Sequence, residues 1–251
     1  MGSALVTGLL AAGWAPVGDL AVSEPDAGQR ARLEEAHPGL AVVAGPVEAE
    51  DVLLAVKPDV AEPVLVTLAA GGARRVLSIV AGISTARLEA VMPAGSVVVR
   101  AMPNTPALVG AGVAGLSGGM AATSADLDWA EGILASVGSV VRLPERHLDA
   151  VTGVSGSGPA YVFLVAEAMI EAGVSAGLTR AVSRQLVVGT ILGSARMMAE
   201  TGEDPAELRA AVTSPGGTTA AALRTLEFKA VRSAFIEAVA AATERSKQLG
   251  R

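Results

Sequence analysis

A chain of 251 residues, 51% hydrophobic and 18% charged, has ample material for buried cores and is long enough for one large domain or two ordinary ones. Its net charge of −6, with no basic run and only 2% aromatic residues, gives nucleic acid neither electrostatic attraction nor stacking partners. The lack of cysteine excludes disulfides, thiolate chemistry and Cys-ligated metals, and His37 and His147 have no partner at metal-ligand spacing.

No Lys or Arg precedes Arg30, so residues 1–10 lack the positive region of a secretory signal. The most apolar internal stretch, 160–170, is broken by Glu167 and is short for a bilayer span. A cytoplasmic protein without a membrane partner is expected.

Residues 1–148 alternate short β-branched runs with helical stretches. Runs 20–23, 40–43, 52–56, 76–80 and 97–100 read as buried strands, with helices at 26–36, 60–70 and 85–91 between them. A helix at 126–135 and a strand at 140–143 follow. This alternation predicts a parallel, doubly wound α/β sheet of Rossmann type, which binds ligands at the carboxyl ends of its strands. The opening Met1-Gly-Ser-Ala-Leu5 reads as the helix that follows a dinucleotide-binding glycine loop. Gly2 alone favours an ordinary N-terminal helix; the alternation behind it shifts the reading towards the βα turn. On that reading a first strand and its loop, about ten residues, are expected upstream of Met1.

From residue 149 the strand signal stops. Ser155-Gly-Ser-Gly158 reads as a flexible joint, and Pro159 suits the first turn of a helix at 159–172 that is apolar nearly all round. Further helices are expected at 179–200, after the capping-box pattern Asp204-Pro-Ala-Glu207, after Gly217, and at 228–249. The division is therefore a dinucleotide-binding domain, 1–148, and an all-helical domain, 149–251. A helix apolar on every side in so small a domain predicts that a second subunit covers part of it, as a homodimer.

Several strand ends carry candidate site residues. Ser23 and Glu24 point opposite ways: an acidic residue favours a free ribose 2′-hydroxyl, a hydroxyl residue or Arg a 2′-phosphate. Val56-Lys57-Pro58 suits a phosphate or ribose contact and equally a plain strand stop. Ala81-Gly82 lets backbone approach a ligand, and Pro103-Asn104-Thr105-Pro106 is a rigid turn. In Thr213-Ser-Pro-Gly-Gly-Thr-Thr219, two glycines run into an Ala-rich helix whose free N–H groups, beside Ser214, Thr218 and Thr219, suit an anion. An ordinary helix cap explains the same residues equally well.

Ala55-Val-Lys-Pro58, Arg100-Ala-Met-Pro-Asn-Thr-Pro106, Val151-Thr-Gly-Val-Ser-Gly-Ser-Gly-Pro-Ala-Tyr161 and Val212-Thr-Ser-Pro-Gly-Gly-Thr-Thr219, in that order, resemble the pyrroline-5-carboxylate reductase family over essentially the whole chain. The resemblance implies a Rossmann domain, a helical domain that intertwines with a second subunit and often builds larger rings such as decamers, and reduction of 1-pyrroline-5-carboxylate to L-proline with NADPH or NADH. By position it places Gly2 and Ser3 near the pyrophosphate, Glu24 at the adenine ribose, and Val56, Lys57, Pro58, Ala81 and Asn104 along the cofactor cleft. It places Ser214, Gly216, Gly217, Thr218 and Thr219 around the substrate carboxylate, and Glu145 near the product ring. Thr219 is the candidate catalytic residue, its hydroxyl bonded to the ring nitrogen; no metal is required.

The chain departs from the family pattern in lacking the glycine loop before Gly2, in Ala211, and in Phe228-Lys-Ala-Val-Arg232, where the family more often reads Gly-Gly-Phe-Arg or Lys-Gly-Phe-Arg. A related imine reductase or hydroxy-acid dehydrogenase is the alternative enzyme; the latter commonly carries a Lys on the first helix of the second domain, and 159–172 has none. An inactive oligomer, its cofactor site lost with the first strand, is the alternative of another class.

Overall fold

A computed structural model describes residues 1–250, which form two compact units: Met1–Ser157 joined by residues 240–250, and Gly158–Val239. The first opens with α1 (Gly2–Ala11), β1 (Ala21–Ser23), α2 (Ala27–Ala36) and β2 (Ala41–Val43), the two strands pairing in parallel as a small sheet. Then β3 (Asp51–Leu54), α3 (Pro58–Ala70), β4 (Arg75–Ser78), α4 (Thr85–Glu89), β5 (Val97–Met102), β6 (Gly112–Gly118), α5 (Ser124–Ala135) and β7 (Gly138–Arg142) build a five-stranded sheet in the order β3-β4-β5-β6-β7.

Strict alternation along the strands divides this sheet between two cores. Val52, Leu54, Val76 and Val98 face Ala61, Leu65 and Ala69 of α3 and Leu88 of α4. Their neighbours Leu77, Val99 and Ala101 face Leu5 and Leu9 of α1 and Ala130, Ile133 and Leu134 of α5. Side chains two apart share a face, so a run such as Val97-Val-Val feeds both cores at once. The doubly wound class expected from the sequence is what forms.

Two features differ from the expectation. The strands β3, β4 and β5 are parallel, but β6 runs antiparallel to β5 and carries β7 with it, so the sheet is mixed. Nor was β6 evident: Gly112-Val-Ala-Gly-Leu-Ser-Gly118 has three glycines in seven residues, which masks strand propensity. They serve packing. A Cβ on Gly115 would stand 3.0 Å from Val151 Cγ1, and one on Gly118 2.8 Å from Ala122 Cβ.

The expected flexible joint is instead helical. A short α6 (Leu148–Val151) widens into a π-helical turn at Thr152–Gly156, closed by the Ser157 N–H on the Thr152 carbonyl at 2.8 Å.

The second unit holds α7 (Gly158–Ser175), α8 (Arg180–Thr201), α9 (Pro205–Ala211), α10 (Thr218–Phe228) and the start of α11 (Val231–Leu249). The Ser183 hydroxyl donates to the Ile170 carbonyl at 2.9 Å, fastening α8 to α7. Asp204 caps α9 through the Ala206 N–H at 2.7 Å; the reciprocal bond from Glu207 that a full capping box needs is not formed. Among its described residues only Ser183 and Val187 are buried. Phe163, Leu164 and Ile236 stand 64%, 66% and 71% exposed, surface that a helical unit of this size ordinarily hides.

The last helix starts later than expected. Residues 228–230 end α10, and Ala230 takes φ 55°, the one positive-φ residue other than glycine among those described. It occupies the left-handed position that closes a helix, where glycine escapes the Cβ clash. The strain falls within Phe228-Lys-Ala-Val-Arg232, which is therefore more than a local change of packing. Ala230→Gly is expected to raise unfolding stability by about 0.5–1 kcal/mol, read as a higher denaturation midpoint with an unchanged slope.

Candidate active site

In the first unit, the chain ends converge on the carboxyl end of β3 and β4. A Cβ on Gly2 would lie 3.3 Å from Ala55 Cβ, so α1 begins against the end of β3. That start has no side-chain cap, and the first backbone bond closing the turn is Leu5 N–H to Met1 carbonyl. The amides of Gly2 and Ser3 therefore remain available to an anion. Directly after β3, Lys57 forms the boundary of α3 and Pro58 fills its first turn, with Val56 half-buried beneath. The neighbouring β4 continues through Ile79, whose N–H bonds the Leu54 carbonyl at 3.0 Å, to the half-buried Ala81 and to Gly82 at φ 80°. Gly2, Ser3, Val56, Lys57, Pro58 and Ala81 thus share one end of two parallel strands.

Ser23 and Glu24 end the separate two-stranded sheet. Glu24 Oε1 accepts the Asp26 N–H at 2.9 Å, and Asp26 in turn caps α2 through the Gln29 N–H at 2.7 Å.

Asn104 and Glu145 are built differently from the sequence expectation. The Asn104 side chain is buried and bonded at both polar atoms: its Nδ2 donates to the Ser155 carbonyl at 3.1 Å and its Oδ1 accepts the Val113 N–H at 3.0 Å. It locks the Pro-Asn-Thr-Pro turn to the start of β6 and to the π-helical turn. Glu145 is held likewise. Its Oε1 accepts the Thr85 N–H at 2.7 Å and Arg100 Nη1 at 3.1 Å, and its Oε2 accepts the Thr85 hydroxyl at 2.7 Å. Arg100 is buried in β5 with only 7% of its side chain exposed, so Glu145 is its counter-charge. Burial pushes the Glu145 carboxyl up, but the two bonds from Thr85 and the Arg100 guanidinium outweigh this and hold it below the ordinary value.

In the second unit, Thr213 to Thr219 forms the expected helix start. The turn closes by Gly217 N–H on the Ser214 carbonyl at 3.1 Å, with Gly216 at φ 70°. A Cβ on Gly217 would come within 2.4 Å of Ser214 Oγ, so glycine allows the serine hydroxyl to stand here. Gly217 is the boundary of α10 and offers no side-chain cap. The Thr218 and Thr219 amides open the helix unpaired by any cap, with Thr218 exposed and Thr219 half-buried.

The fold is that of a two-unit α/β protein, with a doubly wound sheet in one unit and an uncapped helix start after a Gly-Gly turn in the other. Residues 145–249 match the model for pyrroline-5-carboxylate reductase dimerisation. A pyrroline-5-carboxylate reductase of Synechocystis is 50% identical over 204 residues, covering 80% of this chain and 76% of that protein. The solved structure of one from Coxiella burnetii superposes with a TM-score of 0.90 at 36% identity, covering 99% of this chain and 94% of that one. The Plasmodium falciparum pyrroline carboxylate reductase with NADP bound does so with a TM-score of 0.88 at 33% identity, covering 100% and 95%. The chain belongs to the pyrroline-5-carboxylate reductase family.

The segment Glu145–Ser175 is long and apolar enough, by length and composition, to cross a membrane, a longer run than 160–170 suggested. The dimerisation match gives that apolar surface a protein partner instead.

Because the Glu145 carboxyl is held below its unfolded value, it stabilises the fold above that value, and the contribution is lost as pH falls through the folded one. Glu145→Gln is expected to cost about 1–3 kcal/mol at neutral pH and to flatten the acid limb of the stability profile. Denaturation from neutral to acidic pH should bring variant and parent together at the acid end; parallel curves would refute the assignment.

Proposed function

We propose that this chain reduces 1-pyrroline-5-carboxylate to L-proline, the last step of proline biosynthesis, with NADPH as donor and NADH as a substitute. The observation that carries the reading is the uncapped start of α10, where Ser214, Gly216, Gly217, Thr218 and Thr219 offer amides and hydroxyls to a carboxylate. Bound NADPH supplies the hydride. The imine carbon accepts it, and the ring nitrogen carries the proton that made that carbon electrophilic. The chain's own work is positioning, which needs no histidine, cysteine or metal.

In this reading residues 1–148 bind the dinucleotide, and 149–251 bind substrate and dimerise. The compact units are cut slightly differently, since residues 149–157 and 240–250 pack with the first. The amides of Gly2 and Ser3 take the pyrophosphate; Val56, Lys57, Pro58 and Ala81 line the cleft; Glu24 stands at the adenine ribose. The fit is supported by the closeness of Gly2 to Ala55, which leaves α1's free amides at the strand ends. Asn104 and Glu145, with their polar atoms already engaged, serve as braces of the cleft and substrate walls rather than as direct ligands. A homodimer, extending to rings such as decamers, and a cytoplasmic location complete the proposal.

Thr219 is proposed to hydrogen-bond the ring nitrogen and steady the developing amine. Thr219→Ala should lower turnover roughly tenfold to a hundredfold while leaving nicotinamide binding intact. The checks are loss of reduced-nicotinamide absorbance with pyrroline-5-carboxylate and fluorescence titration with NADPH. Unchanged turnover would sink the role given to Thr219.

A further inference from the structure

The residues after β1 leave the choice between NADH and NADPH open as a sequence, and their conformation adds a further group, Arg30. Arg30 lies on α2, one turn beyond the strand, and is half-buried. Its Nη1 donates to the Glu24 carbonyl at 2.9 Å and to the Pro25 carbonyl at 2.7 Å. The guanidinium is thereby drawn back over the chain reversal at the strand's carboxyl end. A surface arginine ordinarily spreads into solvent; this one is fixed in place.

Its charge is also unspent. No carboxylate lies within ion-pair distance of Arg30 among the described residues, and neither Nε nor Nη2 has a hydrogen-bond partner among them. Of the acids beside it in sequence, Asp26 caps α2 and Glu24 Oε1 takes the Asp26 N–H, while Glu34, one turn on in α2, makes no ion pair with it. A pinned, unpaired guanidinium at this strand end matches the ribose 2′-phosphate, which an arginine holds with charge-assisted bonds. The remaining oxygen of Glu24, Oε2, suits a ribose 2′-hydroxyl.

We infer that Arg30 selects NADPH by binding its 2′-phosphate, and that Glu24 retains the use of NADH. The inference rests on the cofactor reading above and goes beyond it by dividing the two nucleotides between two side chains.

The test is nicotinamide fluorescence titration of the whole chain with NADPH and with NADH, and displacement by 2′,5′-ADP and by 5′-AMP. In Arg30→Ala, binding of NADPH and 2′,5′-ADP should weaken about tenfold or more, with NADH and 5′-AMP changed less than about twofold. Glu24→Gln should shift the ratio the opposite way, tightening NADPH and weakening NADH. Retained NADH binding shows that Arg30→Ala is folded. If that variant loses both nucleotides together, Arg30 is only a turn brace and the inference fails; undiminished NADPH binding overturns it as well. A parent chain that binds neither nucleotide overturns the cofactor reading itself and the inference with it.

Discussion

Val98 and Val99 sit side by side in one strand and belong to different cores, the first with α3 and α4, the second with α1 and α5. The same division holds at Val76 and Leu77. Because both faces of the strands are filled, the sheet interior has almost no room for an unpaired polar group, and each fully buried Val or Leu side chain contributes roughly 1.5–3 kcal/mol. Arg100 is the exception in β5, tolerated because Glu145 and Thr85 complete its surroundings. Polar chemistry is therefore displaced to the strand ends, where Lys57, Ala81 and the turn at Asn104 lie.

Helix starts sharpen that polarity. Asp26, Ser84, Thr179 and Asp204 each place an oxygen on an early amide of the helix that follows, and Thr123 with Asp126 forms a full capping box. These satisfy donors that a helix end otherwise leaves to water. The starts of α1, α3, α6 and α10 carry no side-chain cap. A side-chain cap competes with an anion for the same amides, which is why an uncapped start such as that of α1 or α10 suits the pyrophosphate and carboxylate of the proposed reading.

The repeating parts of this fold were legible in the sequence, and the irregular parts were not. Alternation and β-branched runs disclosed β3, β4 and β5 because tertiary burial and local propensity agree there. In β6 they disagree: Gly115 and Gly118 are small because α6 and the turn after the strand press against them, a long-range reason invisible locally. The π-helical turn at Thr152–Gly156 looked flexible for its glycines, yet Asn104 fixes it from fifty-one residues away. Glu145 and Asn104 were legible as residues of note, but their partners Arg100, Thr85, Ser155 and Val113 come from other elements. Sequence spacing marks a polar residue; it does not say whether its hydrogen bonds point inward or to a ligand. Ala230 is the reverse case. It looked like a small packing change, and only its backbone angle shows the strain.

The second unit poses a separate physical problem. Val187 is its one buried apolar residue among those described, while α7 and α8 expose Phe163, Leu164, Leu186 and Leu192. Helices this short of internal burial draw their stability from what covers them. The matched dimerisation region spans these helices, so the cover is a second copy of the chain. The stability of such a unit is inseparable from protomer concentration. The segment proposed to take the substrate carboxylate opens α10, within this same unit, and α10 has no buried residue of its own. The start of α10, like the rest of the unit, therefore draws its stability from association.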